Sequence, residues 1–131
     1  MGWRVRAIRG ATTADSNTES AIRQVVTELL DELSTANELD PTEIVYVVFT
    51  ATPDIDAIFP AAIARQRLGW DLVPLLDVQQ MVVPGSLNHC IRVLIQFNTP
   101  LTQAEIQHIY LRGARFLRPE WSLSTVGTRP Q

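Results

Sequence analysis

Ile44-Val-Tyr-Val-Val-Phe49 is a continuous apolar run, rich in β-branched and aromatic residues and too short for a globular helix. It predicts a strand buried on both faces. Upstream, Ile22, Val25, Val26, Leu29, Leu30 and Leu33 fall at helical spacing and form one apolar stripe, with Glu28, Asp31 and Glu32 off it. Ser16 and Glu19 have the spacing of a capping box, so a helix is expected to open there and end near Asn37, ahead of Pro41. Before it, Trp3-Arg-Val-Arg-Ala-Ile-Arg9 alternates as a strand does. Gly10-Ala-Thr-Thr-Ala-Asp15 reads as a loop. Strand, helix, strand is the opening of a mixed α/β chain.

Downstream of the central run, Thr50-Ala-Thr-Pro-Asp54 predicts a turn. Pro60 suits the first turn of a second helix towards Leu68, with Gly69 as its cap. Leu72 to Leu76 and Val78 to Val83 read as strand pieces interrupted near Asp77, and Pro84-Gly85-Ser86 as a turn. Cys90-Ile-Arg-Val-Leu-Ile-Gln-Phe97 is another strand, followed by a turn at Asn98-Thr-Pro100. Thr102-Gln-Ala-Glu105 predicts a capped third helix through about Leu111, stopped by Gly113. Ala114 to Leu117 is expected as a last short strand. The expected fold class is α+β (mixed α/β), a mixed sheet packed with helices, in a single domain over residues 1–131. Residues from about 120 to 131 are expected to form a flexible tail. Three helices over five or six strands leave one sheet face for a partner chain to cover.

Composition narrows the chemistry. The 131 residues carry a formal net charge of −3, with 19% charged residues. All 11 basic residues are arginine. A chain without lysine has no Schiff-base lysine, Walker lysine or lysine general base. The net negative charge speaks against a nucleic-acid partner, despite the cluster of Arg4, Arg6 and Arg9. One cysteine excludes an internal disulfide framework and fits a reducing compartment. No apolar run reaches the roughly 18 residues of a membrane span. The N-terminus lacks the apolar core of a signal peptide. The expectation is a soluble cytoplasmic protein.

Arg92 stands between Ile91 and Val93, in the middle of an apolar strand. A guanidinium there needs an anion, because an unpaired buried charge costs several kcal/mol. An Asp or Glu side chain would satisfy it structurally. So would a small bound carboxylate, which the arginine fork matches with two hydrogen bonds. Arg9 ends the first strand on the face of Trp3, Val5 and Ala7. Tyr110, late in the third predicted helix, is either a second donor to such a site or a core residue with a wet tip. Glu105 and His108 have the spacing of a carboxylate–histidine metal motif, but no second copy exists, and a solvated helix face explains them better. Cys90 has no neighbouring base and reads as packing. Gly10-Ala-Thr-Thr13 lacks the spaced glycines of a dinucleotide loop.

Beyond these readings, the chain resembles the monofunctional AroH-class chorismate mutases. The resemblance is carried by Arg6-Ala-Ile-Arg-Gly-Ala-Thr-Thr13, Thr50-Ala-Thr-Pro-Asp54, Ala57-Ile-Phe-Pro-Ala61 and Gly69-Trp70. Further on come Cys90-Ile-Arg-Val93, His108-Ile-Tyr-Leu111 and Leu117-Arg-Pro119. The resemblance implies a homotrimer, a pseudo-α/β-barrel with a central β-sheet core and active sites between subunits. It implies rearrangement of chorismate to prephenate on the route to phenylalanine and tyrosine, with no cofactor and no metal.

By family position, Arg92 donates to the breaking ether bond, and Arg9 and Tyr110 clamp a carboxylate. Phe59, Ala61, Leu75, Leu76, Val78, Gln79 and Leu117 line the pocket, with Arg65 and Arg118 near its mouth. The chain departs from the family pattern at three places. Gln80 stands where the family usually has glutamate, Asp77 where cysteine is frequent, and Ala62 where relatives carry lysine. The expectation is that Asp77 supplies the missing carboxylate, with Asp77, Gln80 and Arg92 as the catalytic set. Two other readings stand beside this one: a non-catalytic trimeric dicarboxylate-binding paralogue, and a trimeric imine deaminase of the YjgF type.

Overall fold

A computed structural model describes residues 2–121. Five strands form one sheet: β1 (Arg4–Thr13), β2 (Ile44–Ala51), β3 (Leu75–Gln79), β4 (Cys90–Thr99) and β5 (Ile109–Tyr110). Two α-helices accompany them, α1 (Glu19–Asn37) and α2 (Pro60–Arg65). The strand order is β3-β2-β4-β1-β5. β4 runs antiparallel to both β1 and β2, so those two are parallel and α1 is their crossover. β2 and β3 are parallel neighbours joined through α2. Parallel neighbours need such crossovers, whereas antiparallel ones can be joined by a tight turn.

Side-chain alternation along β4 sorts the sheet into two faces. Ile91, Val93, Ile95 and Phe97 point to a core with Ile8, Val47 and Phe49, and the α1 stripe covers it. Six apolar α1 side chains are fully buried there, each worth about 1.5–3 kcal/mol. Arg92, Leu94 and Gln96 point the other way. Beside them on that open face lie Val5 (48% exposed), Leu76 (58%), Val78 (45%) and Leu94 itself (37%). The central run is therefore buried on one face of this chain and only partly shielded on the other, with Val45 exposed at a bulge. No described helix is long and apolar enough to cross a membrane.

Several local expectations give way to tertiary pairing. Gly10 to Thr13 are not a loop but the end of β1, paired with Val93 back to Cys90. Their small size is what the packing demands: a Cβ on Gly10 would lie 3.0 Å from Leu33 Cδ1 and 3.2 Å from the Ile109 carbonyl. Thr18, not Ser16, caps α1, accepting from the Ala21 amide at 3.2 Å. The preceding residue, Asn17, is engaged with Asp56 and Ala57, which delays the helix start. α2 stops at Arg65, before Leu68, and Gly69 takes the expected left-handed turn at φ 83°. Asp77 does not interrupt strands; it is the middle residue of β3. β4 runs on through Asn98 to Thr99.

The largest correction falls on the third helix. The Thr102–Glu105 capping box forms, but it closes only one 3-10 turn, Gln103–Glu105. Asn37, buried at the end of α1, takes both backbone groups of Gln107 at 2.8 and 2.9 Å. A helix would have used those groups internally. The chain leaves extended instead, and Ile109 and Tyr110 pair with Gly10 and Ala11. Residues 112–116 form a 3-10 turn rather than a strand. Arg112 enters it at φ 51°, held by Glu28 at 3.0 Å and Asp15 at 3.6 Å. Most of the expected flexible tail lies outside the described residues.

Candidate active site

The register sets a row of side chains across the open face: Val78, Thr50, Arg92, Ala11 and Tyr110. Arg92 occupies its centre. Its Nε donates to the Gln80 side-chain oxygen at 3.2 Å. No carboxylate among the described residues pairs with it within 4.0 Å. A neutral amide orients the guanidinium without cancelling its charge, so the charge stays available to an anion. The guanidinium also lies near Cys90. Burial raises the pKa of that thiol, with Arg92 pulling it down, and the thiol remains a packing group.

Arg9 pairs with Leu94, two residues along β4 from Arg92 and on the same face. Such diagonal neighbours sit about 7–8 Å apart, within reach of two long side chains converging on one dicarboxylate. The Arg9 amide donates to His108 Nδ1 at 3.0 Å. Burial, then Arg9, then Arg118, lower the pKa of His108, favouring the neutral ring that this bond requires. That interaction places Arg118 near the same end of the face, where it also pairs with Glu120 at 2.6 Å. Tyr110 is 1% exposed and packs with Ala11, Ala114, Leu87 and Leu117.

Asp77 does not join this group. Its strand position pairs with Phe49, on the helix-covered face, and its Oδ1 accepts from the Ala61 amide in the first turn of α2 at 3.0 Å. Burial raises its pKa, opposed by that amide and by Arg65. Within one chain, then, its carboxylate is held by the start of α2 rather than beside Arg92. Asp77 instead borders a groove of about 550 Å³ with Phe59, Pro60, Val78, Gln79 and the loop after β2. Phe59 and Arg65 are exposed at the two ends of α2, Ala61 is buried, Leu75 is half-buried and Gln79 is exposed.

Apart from Leu75, which packs against the core, the predicted residues fall into two sets that meet at Val78. Arg92, Gln80, Arg9, Tyr110, Leu117, Arg118, Leu76 and Val78 belong to the open face or its end. Phe59, Ala61, Arg65, Asp77 and Gln79 belong to the groove side. Among the described residues no three His, Cys, Asp or Glu side chains form a metal-binding group. Sequence reasoning missed His108 and Asn37 as supports of the site. Their roles lie in backbone contacts, to which residue spacing carries no clue.

This arrangement has known counterparts. The family described as chorismate mutase type I matches residues 5–121. The chain belongs to the type I chorismate mutase family. It is 41% identical over 120 residues to chorismate mutase AroH of Bacillus subtilis, covering 92% of this chain and 94% of that one. It is 45% identical over 117 residues to chorismate mutase AroH of Thermus thermophilus, covering 88% and 95%. A solved chorismate mutase from Clostridium thermocellum superposes with a TM-score of 0.81 at 43% identity, over 84% of this chain and 97% of that one. The activity is that of a chorismate mutase, an isomerase of aromatic amino acid biosynthesis. Gln80, expected from the sequence to be a departure from the family pattern, is the residue that holds Arg92.

Proposed function

We propose that the chain rearranges chorismate to prephenate on the Arg92 face, in clefts between the subunits of a homotrimer. A one-substrate pericyclic rearrangement needs no nucleophile and no proton transfer. It needs a flexible dicarboxylate held compactly, and donors placed where negative charge gathers on the ether oxygen as its bond breaks. Arg92 is that donor. Gln80 holds its Nε, turns the fork towards the substrate and offers an amide to the ring side. Arg9 and Tyr110 clamp the side-chain carboxylate, and Leu76, Val78 and Leu117 shape the wall.

The observation that carries this reading is the Arg92–Gln80 pair: a mid-sheet guanidinium held by a neutral group. The trimer rests on two further observations. Val5, Leu76, Val78 and Leu94 leave apolar surface exposed across one sheet face. The groove with Phe59, Gln79 and Asp77 meets the Arg92 face at Val78, on the edge strand β3, where a second subunit can reach it. Loss of chorismate absorbance on adding enzyme, with prephenate formed, is the expected result; tight binding without turnover would overturn it. Sedimentation should give a mass about three times the 14.7 kDa chain, as a closed cyclic assembly requires.

A further inference from the structure

The turn leaving β2 is stitched to the first residues of β4 more tightly than a plain connection needs. The Thr52 amide donates to the Cys90 carbonyl at 3.0 Å, and the Cys90 amide donates back to Thr52 Oγ1 at 2.9 Å. The Thr52 hydroxyl donates in turn to Asp54 Oδ1 at 2.5 Å. The His89 amide donates to both Asp54 oxygens, at 3.1 and 3.0 Å. His89 sits at φ 50°, in the left-handed region that residues with a Cβ seldom occupy. Its carbonyl is fixed from the other side by the Ala14 amide at 2.9 Å. Burial opposes the Asp54 charge, but the Thr52 hydroxyl, the His89 amide and the His89 ring outweigh it and keep the carboxyl below its ordinary pKa.

This clamp stands at the root of both members of the central pair. Cys90 lies two residues from Arg92 on the same strand and face. Ala51, next to Thr52, accepts the Gln80 amide at 2.9 Å. A shift of the turn therefore moves the bases of Arg92 and Gln80 together. We infer that Asp54, acting through the Thr52 hydroxyl and the His89 amide, is a positioning residue that sets the Arg92 guanidinium for the reaction. It acts from the loop, through the start of β4, and contacts no reacting atom. The inference rests on the reading that Arg92 is the transition-state donor. Misplacing such a donor by about 1 Å can cost on the order of 100-fold in rate.

The test is a double-mutant cycle on the full chain, reading kcat and KM for chorismate. Asp54→Asn turns one acceptor oxygen into a donor facing the Thr52 and His89 donors. It should lower kcat about tenfold or more and leave KM within about twofold. In an Arg92→Lys background the same substitution should change kcat by less than about twofold, because the group it positions is gone. Thr52→Ser, which keeps the hydroxyl, should match the wild type, while Thr52→Val should reproduce the Asp54→Asn loss. If Asp54→Asn does not fold, the Thr52→Val cycle with Arg92→Lys reads the same coupling. An equal loss in both backgrounds, or unchanged kcat in Asp54→Asn while Arg92→Lys is impaired, overturns the positioning role alone. Unchanged kcat in Arg92→Lys overturns the underlying reading of Arg92 and the positioning role with it.

Discussion

Gln80 accepts from Arg92 Nε across 3.2 Å, so the guanidinium at the centre of the open sheet face is oriented by an amide rather than a carboxylate. Gln80→Glu would convert this bond to a charge-assisted one and restore negative charge beside the electron-poor substrate ring. Only a contact that strengthens in the transition state raises kcat, and positive charge developing on the ring gives the carboxylate such a contact, so kcat should rise about tenfold. Steady-state kinetics of the variant check this. A kcat equal to or below the wild type would show that the amide is no handicap.

Asp77 is bonded to the Ala61 amide rather than to the Arg92 site. Asp77→Asn keeps an acceptor there, and kcat should stay within about twofold, as expected for a change that spares the donors. Its pH signature has a definite sign. Burial raises the folded-state pKa, so the folded chain holds this proton more tightly than the unfolded chain. The stabilising contribution is full at low pH and is lost as pH rises through the folded value. Asp77→Asn should therefore gain stability relative to wild type between about pH 3 and neutrality, followed by urea denaturation.

His108 supplies the opposite case. Its lowered pKa means that the unfolded chain takes up a proton first as pH falls below the ordinary value near 6.5. Its contribution is full above that value and disappears as pH falls through the folded value. Protonation at Nδ1 also removes the acceptor for the Arg9 amide, loosening the backbone that carries Arg9. His108→Asn offers an acceptor that does not titrate. Between pH 7 and pH 5 it should lose less stability and less kcat/KM than the wild type; parallel profiles would exclude this role.

Gly10→Ala tests the close packing that seats Tyr110. The new Cβ would meet Leu33 at 3.0 Å and the Ile109 carbonyl at 3.2 Å. The side chain can give way, but the carbonyl belongs to the strand carrying Tyr110. A loss of about 1–3 kcal/mol is expected, typical of overpacking a filled core. Because β5 must shift, KM should rise as well, which kinetics on the folded variant would show.

What the sequence disclosed depended on how locally each feature is decided. The α1 stripe and the apolar β2 and β4 runs are decided locally, and their elements form close to where expected. Tyr110 was not legible as a strand residue. Its Thr102–Glu105 cap is a valid local signal, overridden by Asn37, 70 residues earlier, which captures the Gln107 backbone. Asp77 shows the same limit for the site. A carboxylate three residues from Gln80 looks interchangeable in sequence, yet within one chain it is taken by the Ala61 amide. The Thr52–Asp54 clamp was read only as a turn, since its partners, His89 and Cys90, come 35 or more residues later.

On the proposed mechanism, Arg92 stabilises the charge developing on the substrate's ether oxygen. The most direct measurement is kcat and KM of Arg92→Ala against wild type, from the loss of chorismate absorbance. Losing one preorganised donor should lower kcat by about 100- to 1000-fold while KM changes only a few-fold. An unchanged kcat, or a loss confined to KM, would contradict it.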